Sequence, residues 1–186
     1  THRDKHTLAA LRKLVIADAA PIRREAAAAL GRIGDKRAVP SLLTSLESAA
    51  DDRFLQHALI YALIEIGDPG PLRLGLKSSI PAVQQGALIA LDQMPNAKLA
   101  SNELSPALKS DNSMLRDHAI RIATAHKWAG PITAHLRSGL ANASTQSLPA
   151  LEQTLVAFVG DAGVRKLVAD SLSSTGLPNT TRAMLL

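Results

Sequence analysis

Apolar residues return along this chain in one recurring pattern. Between Ile22 and Asp35 they stand at Ile22, Ala26, Ala29, Leu30 and Ile33, which is at offsets 0, +4, +7, +8 and +11. The same offsets carry Leu55, Leu59, Ala62, Leu63 and Ile66, and then Val83, Ala87, Ala90, Leu91 and Met94. That spacing follows one face of a 3.6-residue helix. Offset +5 is also apolar (Ala27, Ile60, Leu88, Ile120), so the stripe is wider than a simple surface helix needs. The width predicts helices packed on both sides. Offset +2 holds Arg24, His57, Gln85 and Asp117, which marks the solvent side.

The pattern belongs to an internal repeat. Ile22–Asp35 aligns without a gap on Leu55–Asp68, and further copies run Val83–Asn96, Leu115–Trp128 and Leu148–Asp161. Taken at Gly34, Gly67, Pro95, Lys127 and Gly160, the copies are spaced by 33, 28, 32 and 33 residues. Gly34, Gly67 and Gly160 suit the left-handed conformation that ends a helix, and Asp35, Asp68 and Asp161 suit capping before the next one. Second helices are expected at Ala38–Leu46, Pro71–Leu76, Leu99–Leu108, Ile132–Leu140 and Val164–Leu172, with polar joints between hairpins. The expected fold is therefore all-α, an α–α superhelix of about five stacked helical hairpins. Repeats fall near residues 21–50, 53–78, 81–110, 112–142 and 146–174 of a single solenoid spanning 1–186. Thr7–Ala19 and Thr180–Leu186 read as parts of further repeats, so the chain reads as a segment of a larger protein.

Composition agrees. Of 186 residues 46% are hydrophobic, yet only Phe54, Tyr61, Trp128 and Phe158 are aromatic. A core of Ala and Leu suits helices that approach closely. The absence of cysteine excludes disulfides, Cys-ligated zinc, iron–sulfur clusters and covalently attached c-type haem within these residues. The net charge of +5 is uneven. Residues 1–40 hold nine Lys/Arg against four Asp/Glu, and residues 41–186 hold twelve of each.

The unit Ile22–Leu42, with its Arg-Arg-Glu-Ala, Leu-Gly-Arg-Ile-Gly-Asp and Ala-Val-Pro-Ser-Leu segments, resembles HEAT repeats of the phycobilisome-lyase type. A narrower resemblance rests on Asp52–Asp68, Gly86–Pro95 and His126–Gly130. These stretches are similar to the central region of large planctomycete-type membrane-bound dehydrogenases, which join a sugar-dehydrogenase-like β-propeller, HEAT repeats and a C-terminal c-type haem domain. That resemblance implies an extracytoplasmic parent with an oxidative or electron-transfer role. Neither the propeller nor a Cys-x-x-Cys-His motif lies in this chain, so no residue here inherits that chemistry and no cofactor is expected in this segment.

Candidate chemistry is sparse. His2 and His6 are four apart but lack a third ligand. His126 takes the +11 stripe position and is expected to be a buried, hydrogen-bonded core residue. There is no His-Glu pair of the kind HEAT-built di-iron hydroxylases use, no Gly-x-Ser-x-Gly elbow and no glycine-rich phosphate loop. A nucleic-acid reading rests on the basic residues Arg23, Arg24, Arg32, Lys36 and Arg37, but residues 1–53 offer no aromatic side chain for stacking on bases. The favoured reading is a non-catalytic protein-interaction or spacer scaffold, whose partner is a protein or a neighbouring domain of the parent. Its contact candidates are polar residues of the second helices taken as exposed: Ser41, Thr44, Ser45, Arg73, His135, Arg137, Arg165 and Lys166.

Overall fold

The computed structural model describes residues 2–17, 19–174 and 176–186, with side chains from residue 6 onward. Among the described residues the ordered elements are all helical, as the periodicity requires. They are α1 (His2–Ala17), α2 (Ala20–Ile33), α3 (Val39–Glu47), α4 (Arg53–Ile66), α5 (Pro69–Gly75), α6 (Pro81–Gln93), α7 (Ser105–Leu108), α8 (Ser113–Ala125), α9 (Ala129–Ala141), α10 (Leu148–Ala157), α11 (Ala162–Ser173) and α12 (Asn179–Leu185). Short 3-10 turns at Lys36–Ala38 and Ser101–Leu104 lead into α3 and α7. The second helix expected at Leu99–Leu108 is thus reduced to that turn and the single turn of α7. The chain is an α–α solenoid of the HEAT-repeat type, and its packing divides into two compact units, residues 1–100 and 101–186.

In the first unit α2 packs along α4, α4 along α6, and α1 against α2 and α3. The stripe positions Ala26, Leu30, Leu55, Leu59, Ala62, Leu63, Ala87 and Leu91 are buried, as are Ala27 and Leu88 at offset +5. The helices meet closely because small residues stand at the contacts. A methyl group on Gly31 would lie 3.0 Å from the Ala62 Cα, and one on Gly86 would lie 2.5 Å from a methyl of Leu46. Two stripe positions of the first repeat depart from expectation: Ile22 and Ile33 are exposed. Arg23 turns inward in place of Ile22.

In the second unit α8 packs on α7 and α9, and α9 packs on α10 and α11. Leu115, Ala119, Ile122 and Ala123 are buried as expected. The fifth copy is displaced by one residue. Its inward positions are Leu151, Thr154 and Phe158, while Val156 and Val159 face solvent. The stripe therefore starts at Ser147, which lies outside the helix, instead of at Leu148.

Caps and joints follow local chemistry. Asp52, Asn112 and Asp161 accept N-terminal amides of α4, α8 and α11 at 2.9–3.0 Å. Gly34 and Gly67 have φ of 67° and end α2 and α4. Gly160 does not adopt that conformation, because α10 ends three residues earlier at Ala157. In the fourth copy Lys127 takes the left-handed position itself, with φ 57°. Its N–H bonds Thr124 O at 3.1 Å and that of Trp128 bonds Ala123 O at 2.8 Å. This turn carries His126 out of the stripe. His126 is exposed, not buried, and stacks on Trp128 with ring centroids 4.4 Å apart.

A second device holds the joints. The residue at offset +1 of α2, α4, α6 and α8 is a long donor that reaches back to a main-chain carbonyl. Arg23 bonds Val15 O (3.1 Å), Gln56 bonds Ala50 O (2.8 Å), Gln84 bonds Leu76 O (3.3 Å) and Arg116 bonds Ser110 O (2.7 Å). In α12 Thr181 is buried, and Arg182 beside it bonds Leu172 O and Ser174 O at 2.6 and 2.7 Å.

Three outcomes are expected. Leu63→Asp, which buries an unpaired charge at a fully enclosed position, costs about 3–5 kcal/mol and abolishes the cooperative melt of residues 1–100 followed by circular dichroism. Lys127→Gly relieves the left-handed strain and raises stability by about 0.5–1 kcal/mol, read as a higher melting temperature. The third outcome concerns Asp35. The Arg37 guanidinium and backbone amide draw its carboxyl from 3.8 down to about 2. Its folded value lies below its unfolded one, so its contribution is present above about pH 4 and is lost as pH falls towards 2. In a carboxyl NMR titration, Arg37→Ala returns Asp35 towards the ordinary range.

Candidate interaction surface

The polar positions expected to form a contact surface do not all reach it. Ser41 and Ser45 are buried in α3. Ser41 Oγ accepts from Arg12 Nε at 3.2 Å, and Ser45 Oγ donates to Val15 O while accepting from Arg23. Both serines satisfy neighbouring helices instead of facing solvent, because α1 lies against α3. Thr44, Arg137, Arg165 and Lys166 are exposed, and Lys166 pairs with Asp170 at 3.1 Å. Arg73 is half-buried and bonds Ala97 O at 2.6 Å.

The proposed basic patch is also dispersed. Arg23 is buried, with its guanidinium on Val15 O, on Ser45 O at 2.6 Å and on Ser48 Oγ at 2.9 Å. Arg24 stands 3.8 Å from the Asp52 carboxylate, and Arg37 is bonded to Asp35. Arg32 and Lys36 are exposed. Of the two amino-terminal histidines, His6 is exposed, and the His2 side chain lies outside the described residues. No group of three or more His, Asp or Glu among the described residues could hold a metal ion.

One surface in the first unit was not anticipated. Phe54 and Tyr61, two of the chain's four aromatic residues, are 77% and 54% exposed on the outer side of α4. His57 lies between them, its ring parallel to that of Tyr61 within 5° and 6.5 Å away. At positions 54, 57 and 61 the three side chains share one face of the helix. The outward position of His57 is visible in the sequence. The exposure of the two aromatics becomes evident only once the buried arc is located.

The second unit contains a groove of about 650 Å³ over α9, walled by α8 and its preceding joint on one side and by α10 on the other. It exists because α8 and α10 do not pack along each other as α2 and α4 do. Leu108, Ile120 and Leu151 form its apolar surface; Lys109, Asp111, Arg116 and Asp117 supply two charges of each sign. His135 is half-buried within it, and its Nδ1 lies 3.1 Å from Leu108 O. A carbonyl can only accept, so Nδ1 carries the proton and a neutral ring keeps Nε2 as an acceptor. Burial lowers the His135 pKa below the ordinary imidazole value, Arg116 lowers it further, and the Leu108 hydrogen bond opposes both. Of the contact candidates read from the sequence, His135 alone lines this groove.

Comparison with known proteins agrees with the repeat architecture. The family model for HEAT repeats matches residues 1–64. Phycocyanobilin lyase subunit alpha from Pseudanabaena tenuis (strain PCC 7409) is 58% identical over 38 residues, which is 20% of this chain and 13% of that protein. The match thus covers far less than two thirds of the relative's length, and what it shares with this chain is a stretch about one repeat long. Among the described residues no helix is long and apolar enough to cross a membrane.

Proposed function

We propose that this chain is a non-catalytic protein-interaction or spacer scaffold within a larger, haem-containing dehydrogenase that works outside the cytoplasm. HEAT repeats commonly mediate protein contacts, and stacked hairpins offer extended surfaces for them. The observation that carries the reading is the outward face of α4. Large aromatic side chains are enriched where proteins meet, and here two stand in solvent in a chain that has only four. The resemblance of Asp52–Asp68, Gly86–Pro95 and His126–Gly130 to planctomycete-type dehydrogenases supplies the parent. In that setting the outer face of α4 meets another domain of the parent or a protein bound to it.

The test uses the full-length protein in its own cells, with the photo-crosslinking residue benzoylphenylalanine at position 54 and, as control, at exposed position 77. Adducts to a second protein or to another domain, at position 54 and not at 77, are expected. The paired substitution Phe54→Ser with Tyr61→Ser should change stability by no more than about 0.5 kcal/mol, because both side chains are exposed, yet it should remove the partner seen by a crosslinker placed at His57. Absence of adducts above the control, or adducts to nucleic acid, overturns the scaffold reading. A full-length sequence without Cys-x-x-Cys-His overturns its haem-bearing context.

A further inference from the structure

The outer face of α4 carries more chemistry than exposed area. The rings of His57 and Tyr61 are parallel within 5°, with centroids 6.5 Å apart. Where one ring of this chain directly covers another, as His126 covers Trp128, the centroids are 4.4 Å apart. His57 and Tyr61 therefore align without covering each other, and their π faces stay open to a third flat group.

The repeat sets the surroundings of this pair. Tyr61 stands at offset +6, which is Ala28 in α2 and Ile89 in α6, the two helices packed along α4. Both are half-buried, so a small apolar surface flanks the phenol ring on either side. Charge is divided along the face. At its N-terminal end Arg53 is exposed and Arg24 stands beside Asp52. One turn past Tyr61, Glu65 is exposed, with its carboxylate over Gly31 of α2, where an added methyl group would not fit. Among the described residues Glu65 has no ion pair.

These features choose among occupants. An apolar or aromatic side chain would cover Tyr61, yet it would take Glu65 out of water with nothing to pair it. A nucleic-acid base stacks well but brings phosphate towards that carboxylate. A lysine ammonium is compact and strongly hydrated, and it does not lie flat on a ring. A guanidinium is flat and cationic: it stacks on ring faces and offers in-plane N–H groups to a carboxylate. Its methylene stem covers apolar ground of the kind Ala28 and Ile89 supply. Arg53 repels a cation from the other end of the face.

We infer that the outer face of α4 receives an arginine of a partner protein, its guanidinium stacked on the His57–Tyr61 pair and bonded to Glu65. This inference rests on the scaffold reading and gives the chemistry of the contact which that reading assigns to α4.

The probe is the blocked tripeptide leucyl-arginyl-leucine amide, titrated into the full chain and followed through the ring proton resonances of His57 and Tyr61. Two further peptides carry lysine or citrulline at the centre, the latter flat but uncharged, and adenosine monophosphate stands for nucleic acid. The arginine peptide is expected to move both sets of resonances and to shift its own δ-methylene protons upfield. It should bind about fivefold or more tightly than either analogue. Tyr61→Ala and His57→Ala are expected to abolish the upfield shift, His57→Phe to retain it, and Glu65→Gln to weaken binding about fivefold. All three side chains are exposed, so circular dichroism and melting temperature stay close to those of the parent chain. No saturable response to arginine, equal binding of lysine or citrulline, preference for the nucleotide, or a response that survives Tyr61→Ala overturns the inference. Crosslinks from position 54 that persist without arginine selectivity remove the guanidinium alone. Arginine selectivity without those crosslinks removes the scaffold role given to α4.

Discussion

Every joint in a stack of helical hairpins ends one helix and begins another, which leaves main-chain carbonyls without intrahelical partners. Before α2, α4, α6, α8 and α12 this chain meets that demand with a single side chain near the start of the following helix. Arg23 shows the physics most fully. Among the described residues it is buried without a carboxylate partner, an arrangement that is ordinarily costly. Its acceptors lie in the last turns of α1 and α3, so two helix termini of negative polarity converge on one guanidinium. Ser45 completes the site by donating to Val15 O and accepting from Arg23. Gln56, Gln84, Arg116 and Arg182 perform simpler versions of the same task.

With the joints tied, the first helices can approach on small side chains. Gly31 lies against Ala62, and Gly86 against Leu46, too closely for an added methyl group. A core of Ala, Gly and Leu packed in this way has no room for aromatic rings in the first unit, and both of its rings are found outside. In the second unit looser spacing accommodates Phe158 in the core and leaves Trp128 half-buried against His126. The aromatic face of α4 is thus a consequence of close packing, and it is the surface to which the proposed contact is assigned. Exposure of Phe54 and Tyr61 confers nothing on folding that a polar residue would not, and that is why their presence there points to a partner.

The stack was legible in the sequence because a periodic apolar stripe states which face is buried, and stripes repeated every 28–33 residues state that the faces bury one another. The joints were much less legible. A donor whose acceptor is a main-chain carbonyl leaves no complementary residue to find, so Arg23 counted as surface charge and Ser41 and Ser45 as exposed hydroxyls. His126 followed the stripe by position, yet the left-handed turn at Lys127, where a glycine was to be expected, rotated it outward. The fifth copy misled for a related reason: Val156 and Val159 fit the pattern by hydropathy, but the helix starts late and faces Leu151 and Phe158 inward instead. The groove was invisible for the same cause, since it lies where the first turn of α10 is missing.

The energetics of repeat proteins explain how such a gap persists. Stability in a solenoid is close to a sum of hairpin and nearest-neighbour terms, so a weakened contact at one joint is a local cost. In the second unit α9 carries the load across it: α8, α10 and α11 all pack on α9, and Gly139 lets α10 come close enough for Leu151 to fill the space a side chain would need. Since α9 holds both walls, closing the groove is not required for folding. A globular core with a cavity of this size would tend to collapse or repack around it, whereas here the walls belong to hairpins held from below. The architecture can therefore leave one interface open without dismantling the others, and the groove over α9 is left where α10 begins late and does not pack along α8.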